Sequence, residues 1–448
     1  MGKRVNCLII GCDKMRKEIS FIFAILILSS CGFKVVKLAK PIGSRYMGAQ
    51  TEPSIAIDPN NNKHIVAGAI LDEFYESFDG GKTWLSENIS SVYGVYGDPV
   101  LIFDTASQIY FFHLASYQKA THLDRIVCQT KCTSSLLDSG NCDVFSVGTF
   151  PAPNGSKVQD KQWAVVNPKT NEVCMTWTQF DAYNSKKKED SSFIMFSKST
   201  DAGRSWSEPL RISKWGGDCL DDDNTVEGAV PAIGPDGEIY VTWTGPKGLV
   251  FNKSLDGGTT WQECESILEP QYGGWALNIP GIYRANGLPI IKCDLSNGPN
   301  RGTLYLNWCD QRNGETDTDS WLMSSKDQGA TWNSPIRVNQ DTSGKHQFFT
   351  WMTIDQFSGN LYFVYYDRRN YSSTKTDVYI STSRDGGKTF VDTKVSKRPF
   401  KPNPKLFFGD YLNIDAVDGE IRPIWPSMNR NKIKLHVARL NETELRNR

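Results

Sequence analysis

Apolar and polar positions along the chain fall into a recurring unit. An apolar stretch is followed by a turn of Gly, Asn or Asp, and then by a second apolar stretch. Val230-Pro-Ala-Ile-Gly-Pro-Asp-Gly-Glu-Ile-Tyr-Val-Thr-Trp243 is the clearest copy. Two short apolar runs around such a turn predict a β-hairpin. Related stretches begin at Pro53, Pro99, Trp163, Leu288, Trp351 and Tyr411, so that seven units follow one another. Their spacing of roughly 45 to 70 residues is the period of propeller blades.

A second repeat lies downstream of most of these hairpins. One octapeptide occurs five times, at Ser77–Trp84, Ser199–Trp206, Ser254–Trp261, Ser325–Trp332 and Ser383–Phe390. Its Ser, Asp and Thr side chains suit local bonds to backbone amides, its Gly suits positive φ, and its last aromatic suits burial between layers. Each unit therefore predicts four antiparallel strands, with the octapeptide joining the third to the fourth. The second unit lacks the octapeptide and carries a Cys-rich insertion at about 118–150 instead. The seventh unit ends after its third strand, Lys432 to Leu440, and Phe33 to Leu38 is the segment available to complete it. A strand from the other terminus would remove the last open sheet edge.

These octapeptides resemble the Asp-box (BNR) repeat of sialidase-like β-propellers, and the resemblance runs through most of the chain after residue 50. It implies an all-β propeller of four-stranded blades. Seven blades are preferred here, with the six of true sialidases as the alternative.

The first thirty residues read differently. Lys14, Arg16 and Lys17 precede an apolar run from Ile19 to Leu28, followed by Ser29-Ser30-Cys31-Gly32. Ten apolar residues are too few to span a bilayer, and the layout is that of a signal peptide. The small residues before Cys31 resemble the bacterial lipoprotein box, which implies lipidation of Cys31, residues 1–30 as a removable signal and 31–448 as the propeller domain. Met15 is an alternative start, and a buried N-terminal helix is the alternative to a signal. The expectation is an exported lipoprotein of the outer membrane or cell surface, monomeric and held to the membrane by its lipid.

Charge narrows the partners. The 50 basic groups match the 50 acidic ones, and removing residues 1–30 leaves 45 against 48, a net of −3. A nucleic-acid binder would carry a basic excess. Of the 11 Cys, eight lie beyond residue 31, an even number that suits disulfides, with Cys293 and Cys309 as candidates to face each other across a hairpin. The five His include no His-Glu-x-x-His, and there is no Gly-x-Ser-x-Gly. No cofactor is implied. Asp218-Cys-Leu-Asp-Asp-Asp223 is either a solvated loop or a structural calcium loop, without EF-hand spacing.

In a blade of this kind the first strand lies nearest the axis, and its start opens on the face opposite the octapeptides. Those starts supply Glu52, Asp98, Asp160 with Lys161, Glu227, Arg284 with Asn286, His346 with Gln347, and Asp410. The loops after the second strands add Asp72, Asp181, Asp310 to Arg312 and Asp367 to Arg369. Together they predict a polar funnel. Paired carboxyls cleave glycosides because one protonates the leaving oxygen while the other works on the anomeric side. Glu227, Asp98, Asp410 and Tyr411 are the catalytic candidates. Glu52, Asp160, Lys161, Arg284, Arg312, Arg368 and Arg369 are the substrate-binding candidates.

The sialidase resemblance implies further that three arginines grip an acidic sugar and that a Tyr paired with a Glu attacks it. Arg284, Arg312, Arg368, Arg369 and Arg422 are available for the clamp, and Tyr411 or Tyr283 for the nucleophile. Where the family has Arg-Ile-Pro this chain has Glu52-Pro-Ser-Ile55, and Arg422-Pro423-Ile424 lies in the last unit. The leading expectation is a carbohydrate-engaging propeller, with exo-α-sialidase activity and a non-catalytic protein scaffold as alternatives. The bland readings are that the carboxyls hold blade register, that Asp367-Arg-Arg369 is an ion pair between blades, and that the Trp residues are core, with Trp275 and Trp351 as the candidates for stacking on sugar.

Overall fold

The computed structural model describes residues 33–40, 50–117, 122–131, 144–149 and 155–447. The signal-like segment, Cys31, Cys132 and Cys142 lie outside these residues. The strands form seven four-stranded antiparallel sheets. Blade 4 is representative, with strands Glu227–Ile233, Ile239–Gly245, Gly248–Ser254 and Ser266–Glu269 in spatial and chain order. The first strands of the others are Ser54–Asp58, Val100–Phe103, Val158–Val166, Ile290–Cys293, Gln347–Asp355 and Asn413–Val417. Each first strand touches those of the blades before and after it, and the first touches the seventh, so the sheets close a ring around an axis. This is a seven-bladed β-propeller.

The closing strand is Lys34–Lys37, which pairs antiparallel with Lys432–Asn441 from Lys34 opposite Arg439 to Lys37 opposite His436. Leu38 extends the pairing, its N–H donating to the Leu435 carbonyl at 3.0 Å, and its side chain is buried. The last sheet thereby gains its fourth strand from the far end of the sequence, as the pattern of apolar residues required.

The five octapeptides make one turn. In the first copy the Ser77 hydroxyl donates to Asp79 at 2.9 Å and accepts from the Gly81 N–H at 2.9 Å, while Asp79 accepts from the N–H groups of Lys82 and Thr83 and from the Thr83 hydroxyl. The Gly N–H to Ser hydroxyl bond recurs in the other four. Gly is required by space as well as by φ: at Gly258 (φ +86°) a Cβ would come within 2.7 Å of the Phe196 ring in the preceding blade. The closing Trp261 packs edge-on against the same ring at 5.0 Å, and Trp332 packs likewise on Phe251 at 5.5 Å. Each turn is a wedge between its own blade and the one before. Trp177, Trp243 and Trp308 are fully buried blade core, and Trp275 and Trp351 are buried too.

The expected Cys293–Cys309 disulfide is not formed. All six described cysteines are free thiols. Cys293 lies opposite Leu304 in the hairpin register, five residues before Cys309, and Cys309 lies opposite Ser320 on the other side. At about 3.3 Å per residue the two sulfurs are separated along the sheet beyond disulfide reach.

A two-stranded excursion, Ala276–Leu277 with Ala285–Asn286, leaves the ring between blades 4 and 5. Among the described residues no helix is long and apolar enough to cross a membrane.

Candidate functional site

Antiparallel order fixes the two faces of the disc. First strands run from one face to the other, so octapeptide turns and first hairpins share one face, and the starts of the first strands open on the opposite one. There the backbone does something the sequence pattern did not show. Two residues ahead of the first regular inner pair, five blades place a residue in the left-handed region: Glu52, Asp98, Lys161, Gly228 and Phe349. For a non-glycine residue that conformation costs about 1 kcal/mol. In adjacent blades 1, 2 and 3 it is adopted by three charged residues, each at φ 51°. The distortion turns their side chains onto the axis.

The result is a buried ionic cluster. The Lys161 ammonium hydrogen-bonds Asp410 and lies 3.7 Å from Glu52 and 3.9 Å from Asp98. Arg284, carried in by the excursion, donates through both Nε (2.8 Å) and Nη2 to the two oxygens of Asp410, and through Nη1 to Asp221 at 2.9 Å. Asn286 donates to the Asp410 carbonyl at 2.8 Å, and the Tyr183 hydroxyl donates to Asp221 at 2.6 Å. Asp410 thus joins blade 7 to blade 3 and to the excursion.

The carboxyls of blades 1 to 4 form an arc with divided protonation. Burial and the neighbouring Asp98 push Glu52 well above the usual carboxylate range. Burial raises Asp98 too, although Lys161 opposes it. Burial, then Asp98, lifts Asp160 to about 7. Glu227 is fully buried, both its oxygens lack a hydrogen-bond donor, and burial with Asp221 and Asp160 nearby drives it well above the usual range. Asp410 goes the other way: burial works against its ionisation, but Lys161 and Arg284 hold it well below. The hub thus favours the protonated form at Glu227, Glu52 and Asp98 and the ionised form at Asp410.

Tyr411 lies beneath this cluster and packs with two inner-strand tryptophans. Its ring centroid is 5.5 Å from that of Trp163 and 6.1 Å from that of Trp351, and the two tryptophans are 4.3 Å apart. The three rings plug the axis, leaving a gap of only about 20 Å³ among them, Lys161 and Asp410. Burial and the nearby Asp98 and Glu52 carboxyls raise the Tyr411 phenol well above 10, and among the described residues no carboxylate accepts from its hydroxyl. Tyr283, the other tyrosine considered, is 60% exposed on the excursion.

The remaining guanidinium groups do not converge on the hub. Arg312 pairs with Asp310 and with Glu269 of blade 4, over the Trp321 ring. Arg369 pairs with Asp367 and Asp392 within blade 6. Arg368 donates to Thr376 at 3.1 Å and to the Pro280 carbonyl at 2.7 Å, which tethers the excursion bearing Arg284. Arg422 lies on the opposite face, donating to the carbonyls of Gly80, Ile421 and Leu440. A three-arginine clamp is therefore absent among the described residues, because four of the five candidates complete ion pairs or backbone bonds in or between blades. Asp181, on a second-strand loop, takes Lys157 at 2.6 Å, and at the start of blade 6's first strand His346 faces the Thr318 hydroxyl at 3.0 Å and Gln347 accepts from Asn339 at 2.9 Å. Asp72 is buried in its loop.

Two hub residues escaped the sequence reading, Asp221 and Tyr183. The acidic run containing Asp221 divides among separate partners: Asp218 takes Thr225, Asp222 takes Asn224, and Asp223 takes the Ala276 N–H. Among the described residues no group of three or more His, Cys, Asp or Glu is disposed to hold a metal ion.

No protein-family model and no curated protein matches the chain in sequence. Solved structures do match it in shape. An ulvan lyase of polysaccharide lyase family PL25, bound to -[GlcA(1-4)Rha3S]-, aligns at 13% identity and TM-score 0.54 over 91% of this chain and 96% of its own. A Hadza microbial sialidase aligns at 14% identity and TM-score 0.45, covering 86% of this chain and 74% of its own. Trypanosoma rangeli sialidase aligns at 12% identity and TM-score 0.44, covering 80% of this chain and 58% of its own. At these identities the likeness is one of fold.

Proposed function

We propose that this propeller engages a glycan at the hub opposite its octapeptide turns, and that Glu227 is the general acid of a glycoside-cleaving site. The observation that carries the reading is the arc of carboxyls with divided protonation. Glu227 is fully buried and burial, Asp221 and Asp160 hold it well above the usual carboxylate range, which favours the protonated form a leaving-group acid needs. Asp98, whose charge raises the neighbouring Glu52, is the candidate for the anomeric side. Asp410 is a positioning residue that fixes Lys161 and Arg284, and Asp160 lines the same arc. Exposed Tyr183, Tyr272 and Tyr283 stand ready for sugar stacking.

The charge balance bears on the substrate. Six carboxyls (Glu52, Asp98, Asp160, Asp221, Glu227 and Asp410) surround two cations, and both cations are already engaged by Asp410. Such a hub favours neutral or amino sugars over the acidic sugar of an exo-α-sialidase. The test is a panel of fluorogenic glycosides, including a sialoside, together with a glycan array. The expected result is turnover or binding of neutral or amino sugars, with turnover lost in Glu227→Gln and reduced in Asp98→Asn. Binding without turnover supports a lectin-like role. Silence in both assays leaves a protein scaffold and overturns the proposal.

The octapeptide turns are assigned to the Asp-box kind, supported by five copies of one Ser-Asp-Gly bonding scheme. Export and lipid attachment at Cys31 are part of the same proposal, supported by the basic and apolar leader. Metabolic labelling with a fatty acid, lost in Cys31→Ser, tests them.

A further inference from the structure

Below the aromatic plug the axis widens into a second chamber. It has a volume of about 510 Å³ and opens on the octapeptide face, where the first hairpins of the blades form its mouth. Volumes of roughly 300–1,000 Å³ are those of small-molecule sites. Its walls are apolar, built from inner-strand residues such as Ile57, Leu101, Val165, Val230, Ile354 and Ile414, and Trp163 and Trp351 close its upper end. The plug separates it from the carboxylate hub.

One cation faces this space from an inner strand. Lys292, in blade 5, lines the chamber, and among the described residues it makes no ion pair or side-chain hydrogen bond. Asp415 lines the same chamber and offsets Lys292 electrostatically without forming an ion pair with it; its oxygens accept from the Ile57 N–H at 2.8 Å, the Ala416 N–H at 2.9 Å and the Thr353 hydroxyl at 3.3 Å. Burial pushes the Lys292 ammonium below its ordinary value, with Asp415 only partly offsetting the effect. An ammonium on a largely apolar wall, with no hydrogen-bonded anion, is costly, and a ligand anion would reduce that cost by a charge-assisted hydrogen bond. At the mouth Arg301 and Asp104 also line the chamber, and Lys169 there is paired with Asp236 at 3.0 Å.

We infer that this chamber is a binding site for a small apolar monocarboxylate, whose chain lies against the inner strands and whose carboxylate meets Lys292. The site is independent of the glycan reading, since it opens on the other face and shares no catalytic candidate with it.

Titration calorimetry on the full chain with decanoate and with decanol tests the inference, in the parent and in Lys292→Met. Decanoate is expected to bind about ten-fold more tightly than decanol in the parent. Lys292→Met, which keeps side-chain length and removes the charge, should bring decanoate to the level of decanol and leave decanol unchanged. Ile57→Trp, which fills the chamber, should weaken both. Equal affinity of the two probes in the parent, no measurable binding of decanoate, or decanoate binding that survives Lys292→Met would each overturn it.

Discussion

Replacing Lys161 by Met tests whether the hub is an ionic keystone. Lys161 is buried, hydrogen-bonds Asp410 and stands 3.7 Å from Glu52 and 3.9 Å from Asp98. Met keeps the apolar stem and removes the charge. Asp410 retains Arg284, but Glu52 and Asp98 lose the cation that opposes their mutual repulsion. Removing one partner from a buried pair costs about 3–5 kcal/mol. The cost has a pH signature. Glu52 and Asp98 already titrate above their ordinary values, and without Lys161 they rise further. A carboxyl raised in the folded state withdraws stability as pH climbs above the unfolded value of about 4, and goes on doing so up to the folded value. The loss should therefore be greater at pH 8 than at pH 5, changing by up to about 1.4 kcal/mol per pH unit for each proton involved. Asp410, whose pKa is depressed, withdraws its stability only as pH falls below about 4, outside this window. Urea unfolding of parent and variant at the two pH values measures the difference. A loss equal at both, or below about 1 kcal/mol at pH 8, would refute the reasoning.

Further outcomes are expected. Glu227→Gln replaces a carboxyl whose ionised form the fold disfavours, so the variant should gain thermal stability over the parent as pH rises from 5 to 8, read as a midpoint difference that widens with pH. A constant difference would show that the site is not proton-bearing. Among the six described cysteines only Cys264 is exposed. Iodoacetamide on the native protein should modify that peptide rapidly and leave Cys128, Cys174, Cys219, Cys293 and Cys309 unmodified, as mass spectrometry would show. Leu38→Ala, at the end of the closing strand, removes a side chain that is 1% exposed and should cost about 2–5 kcal/mol, while Lys34→Ala on the exposed end of the same strand should cost under about 0.5 kcal/mol. Equal effects in urea unfolding would argue against closure through this strand.

Much of the architecture was legible without coordinates, because its causes are local. A strand–turn–strand unit is two short apolar runs about a turn, buried along their whole length, and the octapeptide turn is made by side chains that reach amides no more than four residues away. Seven such units, with a last one short of a strand, dictate a ring completed by Phe33 to Leu38, since an open edge is the feature a propeller has to remove. The axial site was legible only in outline. First-strand starts gathered Glu52, Asp98, Asp160, Lys161, Glu227 and Asp410 on one face, because strand order alone assigns the face, whereas Arg284 arrives there on the excursion. The sequence could not show that Arg312, Arg368, Arg369 and Arg422 complete other ion pairs and backbone bonds, or that Asp221 and Tyr183 reach the hub from a loop that reads as solvated. Nor could it show that Cys293 and Cys309 sit out of register, or that Lys292 faces a largely apolar chamber without an ion pair. Those outcomes depend on distances between residues tens to hundreds of positions apart, and on the water excluded around them. Sequence spacing carries no record of either, and only the closed ring fixes both.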